Sequence, residues 1–149
     1  MSPAHDPNTV LRTERVLTAS TRDVFAAFEQ PDQLALWWGP NGFRNTFEQF
    51  KFTPGGEWIY VMHGPNGAHY ANASVFRDIV PDTKIVIDHT SLPHFRLTVI
   101  LTPRGDTTHL SWAQQFETPE IATQLRPICN PANEQNLDRL EALLAVPKS

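Results

Sequence analysis

The sequence lacks the features that mark secreted, membrane-spanning or nucleic-acid-binding proteins. Its 149 residues include one cysteine, Cys129, so no disulfide can form within the chain, and a reducing compartment is favoured. Only three residues are lysine and the net charge is -4, so no basic cluster is available to follow a phosphate backbone. No stretch approaches the ~20 apolar residues that span a membrane, and residues 1–8 do not resemble a secretory signal. We therefore expect a cytoplasmic protein that binds neither nucleic acid nor membrane.

Sequence signatures of enzymes and of metal sites are also missing. The chain has no Gly-x-Ser-x-Gly nucleophile elbow, no phosphate-binding loop and no His-Glu-x-x-His motif. Its six histidines are scattered, and their spacing matches no common metal site. We therefore expect no cofactor and no metal, and the chain is more typical of a binding protein than of an enzyme.

Tryptophan and glycine, in contrast, are concentrated in two short runs, Trp-Trp-Gly-Pro at 37–40 and Pro-Gly-Gly-Glu-Trp at 54–58. Each tryptophan carries a large apolar surface and one N–H that needs a partner, and the glycines mark sharp turns. Adjacent residues on a helix point about 100° apart, so the rings of Trp37 and Trp38 cannot fill one site. We expect one ring to close an end of the core and the other to be partly exposed; the alternative is a cavity rim or lid.

The pattern at the start of the chain predicts one strand followed by two short helices. The strand covers Val10–Leu17, where apolar and polar residues alternate. The first helix begins at an N-cap, Ser20 or Thr21, and ends before Pro31, because the residue before a proline avoids the α region. The second helix covers residues 32–38 and ends at the following Gly-Pro pair.

Strand and turn signals alternate through residues 42–117, which predicts six antiparallel strands. The turns contain Pro-Gly-Gly at 54–56 and Asn-Gly at 66–67, which suit positive φ angles. The phenylalanines on either side of Gln49 have opposite parity, so we expect a β-bulge near that residue.

The last part of the chain predicts a helix that two prolines interrupt. Thr118 is a cap, Pro119 suits the first helical position, and Glu120 places an acid in the first turn. Pro127 and Pro131 each remove a hydrogen bond and clash with the preceding turn, so we expect a kink or break between them.

These elements together predict an α+β fold with a single domain over residues 10–146, preceded by a flexible arm at 1–9. An antiparallel sheet with one apolar face has to cover that face. The C-terminal helix is the only predicted element long enough to lie across it. The two short helices after the first strand are expected to close one end of the sheet.

Several motifs resemble bacterial proteins related to the C-terminal domain of the activator of heat-shock protein 90 ATPase. The similarity covers residues 12–145, nearly the whole chain. It is carried by Trp-Trp-Gly-Pro at 37–40, Gly-Phe at 42–43, Pro-Gly-Gly-Glu-Trp at 54–58, the stretch from Met62 to Tyr70, Asp-Ile-Val-Pro at 78–81 and Leu-Asp-Arg-Leu at 137–140. The chain departs from the family in having Ala73, where a glycine is common, and in its prolines near residue 130.

The resemblance implies the helix-grip fold, in which a curved antiparallel sheet wraps around a long C-terminal helix and leaves a cavity between them. The fold is shared with lipid-transfer START domains, birch-pollen-allergen-like proteins and polyketide cyclases. It also implies a place in the stress response, with a heat-shock chaperone as a partner hypothesis. A homodimer is a separate partner hypothesis.

The aromatic strand faces have two interpretations, a filled core or a ligand cavity. A filled core is the usual outcome for an alternating antiparallel strand. A cavity is favoured here because polar residues share the same faces, and a buried polar group without a partner costs about 1–3 kcal/mol. The candidate ligand-binding residues are Trp38, Phe43, Trp58, Tyr60, Met62, Tyr70, His89, Phe95, Trp112, Gln114, Phe116, Asn133 and Leu137.

Three functions stay open at this point. The first is binding of a small apolar or aromatic molecule between the sheet and the C-terminal helix, which we take as the leading hypothesis. The second is a co-chaperone-like interaction with heat-shock protein 90. The third is a cyclase- or hydrolase-type reaction in the same cavity, with His89, Tyr60 or Gln114 moving or orienting a proton.

Overall fold

One antiparallel sheet of seven strands and three α-helices make up the computed structural model, which describes residues 7–146. The strands are β1 (Val10–Leu17), β2 (Arg44–Phe50), β3 (Glu57–His63), β4 (His69–Val80), β5 (Lys84–His89), β6 (Phe95–Arg104) and β7 (Thr107–Phe116), and the helices are α1 (Thr21–Glu29), α2 (Pro31–Trp37) and α3 (Pro119–Leu144). Most of the predicted N-terminal arm lies outside the described residues, and Pro7–Thr9 form one 3-10 turn. No helix in the described range combines the length and the apolarity needed to cross a membrane.

The sheet order is β1-β7-β6-β5-β4-β3-β2. Strands β2 to β6 each pair with the next strand along the chain, and β1 joins the sheet beside the last strand, β7. Burial alternates along the strands, most regularly in β7, so one face of the sheet is covered. The predicted α+β architecture, with a sheet covered by the C-terminal helix, is therefore confirmed.

The helix boundaries at the start of the chain follow the capping residues. Ser20 is the N-cap of α1, and its hydroxyl accepts a hydrogen bond from the Asp23 amide at 3.1 Å. Helix α2 begins at Pro31, one residue earlier than predicted, because proline suits the first helical position, where no N–H partner is needed.

The β-bulge predicted near Gln49 is present. The pairing of β2 with β3 shifts register between Phe47 and Gln49, so one extra residue is inserted into β2. The bulge brings Phe47 and Phe50 together with ring centroids 5.5 Å apart, and both rings contact Trp58. The irregularity therefore places both phenylalanines on the core side, which strict alternation would forbid.

Helix α3 is continuous through both of its prolines, so the prediction of a break is wrong, and its alternative, a kink, stays a prediction. Pro127 and Pro131 are one turn apart on its exposed side. The carbonyl groups that lose an amide partner belong to Thr123 and to Pro127 itself, and both of these residues are exposed. Water at this surface can satisfy the freed carbonyl groups, so the helix continues.

Both adjacent tryptophans are buried, contrary to the expectation that one would be partly exposed. Trp37 ends α2 and donates its Nε1–H to the Ala27 carbonyl at 2.9 Å. Trp38 already has an extended backbone, with φ -69° and ψ 133°. The chain leaves the helix between the two residues, so both rings reach the interior at different places.

Candidate functional site

A cavity of about 200 Å³ lies between the inner face of the sheet and helix α3. Strands β3 to β7 form one wall, the loop at 38–40 forms one end, and α3 forms the opposite wall. The residues that line it are Trp38, Gly39, Pro40, Tyr60, Met62, Asn72, His89, Pro93, Phe95, Leu97, Trp112, Gln114, Cys129, Ala132, Asn133 and Asn136. None of the described residues that line the cavity is Asp, Glu, Lys or Arg, so the cavity surface is largely aromatic and carries no formal charge.

Trp38 and Tyr60 form one end of the cavity. The Trp38 Nε1–H donates to the Tyr60 hydroxyl oxygen at 3.3 Å, and the Trp38 ring also contacts Trp112 with centroids 6.0 Å apart. Tyr60 stacks on Trp58 at 4.2 Å. Burial raises the pKa of Tyr60 to about 12, so it stays a neutral phenol at physiological pH.

The backbone of the Trp-Trp-Gly-Pro loop is held by α3. The Asn136 side-chain oxygen accepts from the Gly39 amide at 3.0 Å, and the Gln135 side chain accepts from the Asn41 amide at 3.0 Å. Gly39 has a φ of +97°, and a Cβ there would lie 2.7 Å from the Met62 methyl group. The positive φ favours glycine at this position, whereas the Met62 methyl group ends a flexible side chain and could move aside.

Arg139 fixes the same loop with its guanidinium group. It donates to five backbone carbonyls at 2.8–3.2 Å, those of Leu36, Trp38, Gly39, Pro40 and Phe43. Burial lowers the pKa of Arg139, and no carboxylate among the described residues forms an ion pair with it. The charge is instead stabilised by carbonyl dipoles near the C-terminus of α2, where a cation is favourable.

His89 is the central polar residue on the sheet side of the cavity. Its Nδ1 lies 2.8 Å from the Pro93 carbonyl oxygen, which can only accept. Its Nε2 lies 2.7 Å from the Asn72 side-chain oxygen and 3.3 Å from the Ser91 hydroxyl, and the ring stacks on Phe95 at 4.5 Å. Burial lowers the pKa of His89. The Asn72 oxygen also only accepts, so the neutral ring, which carries a single proton, can donate to Pro93 or to Asn72 but not to both.

Gln114 and Asn133 form a second polar pair, between β7 and α3. The Asn133 amide donates to the Gln114 carbonyl oxygen at 3.0 Å. This contact uses one end of each side chain and leaves the Gln114 amide donor and the Asn133 oxygen acceptor for another partner. The pair therefore presents a donor and an acceptor side by side at the cavity wall.

The structure brings eight of the predicted site residues together around the cavity. They are Trp38, Tyr60, Met62, His89, Phe95, Trp112, Gln114 and Asn133. Seven of these positions come from the inner face of the sheet or the loop before it, where alternation identifies the face, and Asn133 comes from α3. That any of them contacts a ligand stays a prediction.

Five other predicted residues lie away from the cavity. Trp58 and Leu137 are fully buried and pack within the core. Phe116 belongs to a separate cluster with Leu11 and Ala122 at the other end of α3. The remaining two, Phe43 and Tyr70, pack against each other at 6.0 Å beside the β3–β4 hairpin. Trp58 shares a face of β3 with Tyr60, and Phe116 shares a face of β7 with Gln114, but both pack within the core instead of lining the cavity.

Sequence reasoning missed the helix side of the cavity. Cys129, Ala132 and Asn136 join Asn133 there, at the spacing of one helical face. The expected break at the prolines hid this signal, because a broken helix has no common face across residue 130. Burial raises the pKa of Cys129, so its thiol stays protonated at neutral pH. Pro93 comes from a loop, and no periodic pattern would have found it.

A curved antiparallel sheet that holds a long C-terminal helix, with two short helices after the first strand, defines the helix-grip class of α+β proteins. The chain belongs to the family described as Activator of Hsp90 ATPase homolog 1-like protein, whose model matches residues 18–145. The predicted family resemblance is thereby confirmed. No curated protein matches the sequence significantly.

Solved bacterial structures share the fold over nearly the full chain. A protein from Arthrobacter aurescens has a TM-score of 0.87 at 24% identity, covering 100% of this chain and 95% of its own. One from Rhodobacter sphaeroides has a TM-score of 0.85 at 22% identity, covering 98% and 99%. One from Chromobacterium violaceum has a TM-score of 0.82 at 25% identity, covering 93% and 99%. At these identities the likeness supports the architecture and leaves the ligand open.

Proposed function

We propose that this protein binds a small, neutral, mostly aromatic molecule in the cavity between the sheet and α3. The observation that carries the proposal is a partly open cavity of about 200 Å³ with aromatic walls and two separate polar groups. Ligand sites typically combine apolar walls with a few polar atoms that fix orientation. Simple core packing, in contrast, leaves few voids larger than a water molecule.

The size of the cavity limits the ligand. Sites for drug-sized molecules occupy roughly 300–1,000 Å³, so about 200 Å³ suits a smaller molecule with one ring or two fused rings. Trp38, Phe95 and Trp112 supply ring faces and edges against which a planar molecule packs favourably. The absence of charged residues from the lining disfavours a carboxylate, phosphate or ammonium group on the part of the ligand that is buried.

The Gln114–Asn133 pair supports a ligand with a hydroxyl or amide group. The free amide of Gln114 donates and the free oxygen of Asn133 accepts, so a group that does both would satisfy the pair. His89 already has partners at both ring nitrogens, and we assign it to shaping the wall with Phe95.

A cavity-filling pair of variants tests the proposal. Ala132→Phe places a ring in the cavity, whereas the matched Ala142→Phe places the same ring on an exposed position of the same helix. We expect native mass spectrometry, and thermal shifts with a panel of one- and two-ring aromatic compounds, to show binding by the wild type and by Ala142→Phe. Ala132→Phe should lose it.

The outcome that contradicts the proposal is equally direct. If no compound shifts the wild-type melting temperature more than it shifts Ala132→Phe, and no bound mass is released from the purified wild type, the cavity does not hold such a ligand. The Gln114→Leu variant tests the role of the polar pair. It should weaken the binding of compounds that carry a hydroxyl or amide group and leave the binding of purely apolar compounds unchanged.

The other two hypotheses have less support. A reaction would need a free acid or base, but the His89 nitrogens are engaged and Tyr60 holds its proton with a pKa of about 12. An interaction with heat-shock protein 90 rests on the family description alone, and an ATPase assay with that chaperone at saturating concentrations of this protein tests it.

A further inference from the structure

Away from the cavity, two histidines face each other across the hairpin that joins β3 to β4. His63 ends β3, His69 begins β4, and the two are direct register partners. Their Nδ1 atoms are 2.6 Å apart, and the ring centroids are separated by 4.8 Å at an interplanar angle of 83°. Two lone pairs at this distance repel, so one proton must lie between them when the site holds no other cation.

The hairpin fixes the positions of both histidines. The Gly64 amide donates to the Ala68 carbonyl at 2.8 Å, and the Ala68 amide donates to the Asn66 side chain at 3.1 Å. Gly67 has a φ of +86°, which closes the turn at no steric cost. The backbone therefore holds the two rings opposite each other, and little order would be lost when both bind the same ion.

A third residue orients the first ring. Thr46, on β2, has its hydroxyl oxygen 2.7 Å from His63 Nε2. When Nε2–H donates to this oxygen, Nδ1 of His63 has no proton and its lone pair is available. Imidazole groups that bind metals usually donate their other N–H in this way, which sets both tautomer and ring orientation.

We propose that His63 and His69 form a binding site for a divalent late first-row metal ion, with both Nδ1 atoms as ligands and water in the open positions. Imidazole nitrogen suits Zn²⁺, Ni²⁺ and Cu²⁺. Tetrahedral zinc with bonds of about 2.0–2.1 Å needs a nitrogen–nitrogen separation of about 3.3 Å, so the rings must open by roughly 0.7 Å. His69 is exposed and has room to move by that amount.

The surroundings predict a weak, open site. In the described part of the chain no group of three or more His, Cys, Asp or Glu residues is placed to hold a metal, so the pair has no further protein ligand of these types. Arg44 is the register partner of His63 on β2, so its positive charge is on the same face and opposes the metal. We therefore expect the affinity of the site for a metal ion to depend on the charge of Arg44.

Zinc titration followed by calorimetry tests the site on the full chain. The wild type should bind one Zn²⁺, and His63→Gln and His69→Gln should each weaken binding by more than about tenfold, since losing even an orienting partner costs that much. Arg44→Gln should tighten it. His94→Gln is the matched control, because it removes another exposed histidine and should leave the affinity unchanged.

The release of protons on zinc binding is an independent measurement of the site. Because zinc displaces the shared proton, binding should release protons to the buffer and should weaken as the pH falls. Imidazole resonances in an NMR titration should shift for His63 and His69 and for no other histidine. The site is overturned if wild-type zinc affinity equals that of His69→Gln, or if the resonances of this pair do not respond to zinc. The exposed position of His69 keeps these variants folded, and circular dichroism checks this.

Discussion

The two halves of helix α3 meet the sheet in different ways. In the anchored half, residues 134–144, Leu137 and Leu140 have no solvent exposure and pack in the main core. In the cavity half, residues 119–133, only Ala122 is fully buried, and Leu125 is half-buried in a small second cluster. The anchored half therefore contributes fully buried leucines to the main core, whereas most of the helix residues that line the cavity belong to the other half.

Polar contacts show the same asymmetry. Arg15 on β1 lies beneath the anchored half, and its guanidinium contacts three carboxylates of α3, those of Glu134, Asp138 and Glu141, at 2.6–3.2 Å. Arg139 extends from the same half to the loop before β2. The cavity half has one polar contact that crosses the cavity, from Asn133 to Gln114. The anchored half thus positions the helix, which lets the other half leave a volume open.

The largest expected effect comes from truncating one leucine in each half. Leu137→Ala should lower the free energy of unfolding by about 2–5 kcal/mol, because it leaves a cavity in a fully packed region. Leu125→Ala should lower the free energy of unfolding by only about 1 kcal/mol, because the Leu125 side chain is already partly exposed. Urea denaturation of both variants measures the difference, and equal losses would mean that the two halves are equally anchored.

A smaller effect is expected from the arginine that holds the loop. Arg139→Gln should destabilise the protein by about 2–3 kcal/mol, because five carbonyls lose a charged donor that a neutral amide cannot replace. Arg126→Gln, on the cavity half, is the matched control and should change the urea midpoint little. Arg139→Lys should fall between the two, because lysine keeps the charge without the planar fork. If Arg139→Gln and Arg126→Gln unfold alike, the loop is held by Asn136 and the packing of Trp38 instead.

The smallest expected effect is on the pH dependence of stability, and it comes from His89 in the sheet wall of the cavity. Burial lowers the pKa of His89 below its usual value near 6.5, so the unfolded chain takes up a proton before the folded chain does as the pH falls. This contribution to stability is complete above about pH 6.5 and declines below it, until the lower folded-state pKa is reached.

His89→Gln should therefore flatten the decline in stability between pH 7.5 and the mildly acidic range. Urea midpoints across that range measure the slope, and the wild type is the reference. An unchanged slope in His89→Gln would show that His89 is charged in the folded state, with both nitrogens donating to Pro93 and Asn72.

Much of the fold could be predicted from local patterns. Alternation located the strands, Ser20 and Thr118 located two helix starts, and a change of parity located the bulge at Gln49. These features depend on residues close in sequence, so they can be inferred without knowing the tertiary structure. The expected break in α3 was wrong because the effect of a proline depends on whether its turn faces water, which is a property of the packing.

The site was less accessible to sequence analysis. Alternation showed which face of a strand points inward, and so it found Tyr60 and Trp112, but it could not separate Trp58, which is covered by other rings, from Tyr60 two residues later. The histidine pair was missed for a related reason. His63 and His69 are six residues apart, and only the register of the hairpin makes them direct neighbours.

The sequence by itself determined the order of elements, the turns at Gly55 and Gly67, and membership in a family whose model spans residues 18–145. The tertiary structure decided that both adjacent tryptophans are buried and that the Trp-Trp-Gly-Pro loop is held by the distant Arg139. The physical reason is how far apart in the sequence the interacting residues lie. Turns and strand faces follow from neighbouring residues, whereas a cavity exists only where distant elements fail to fill the space between them.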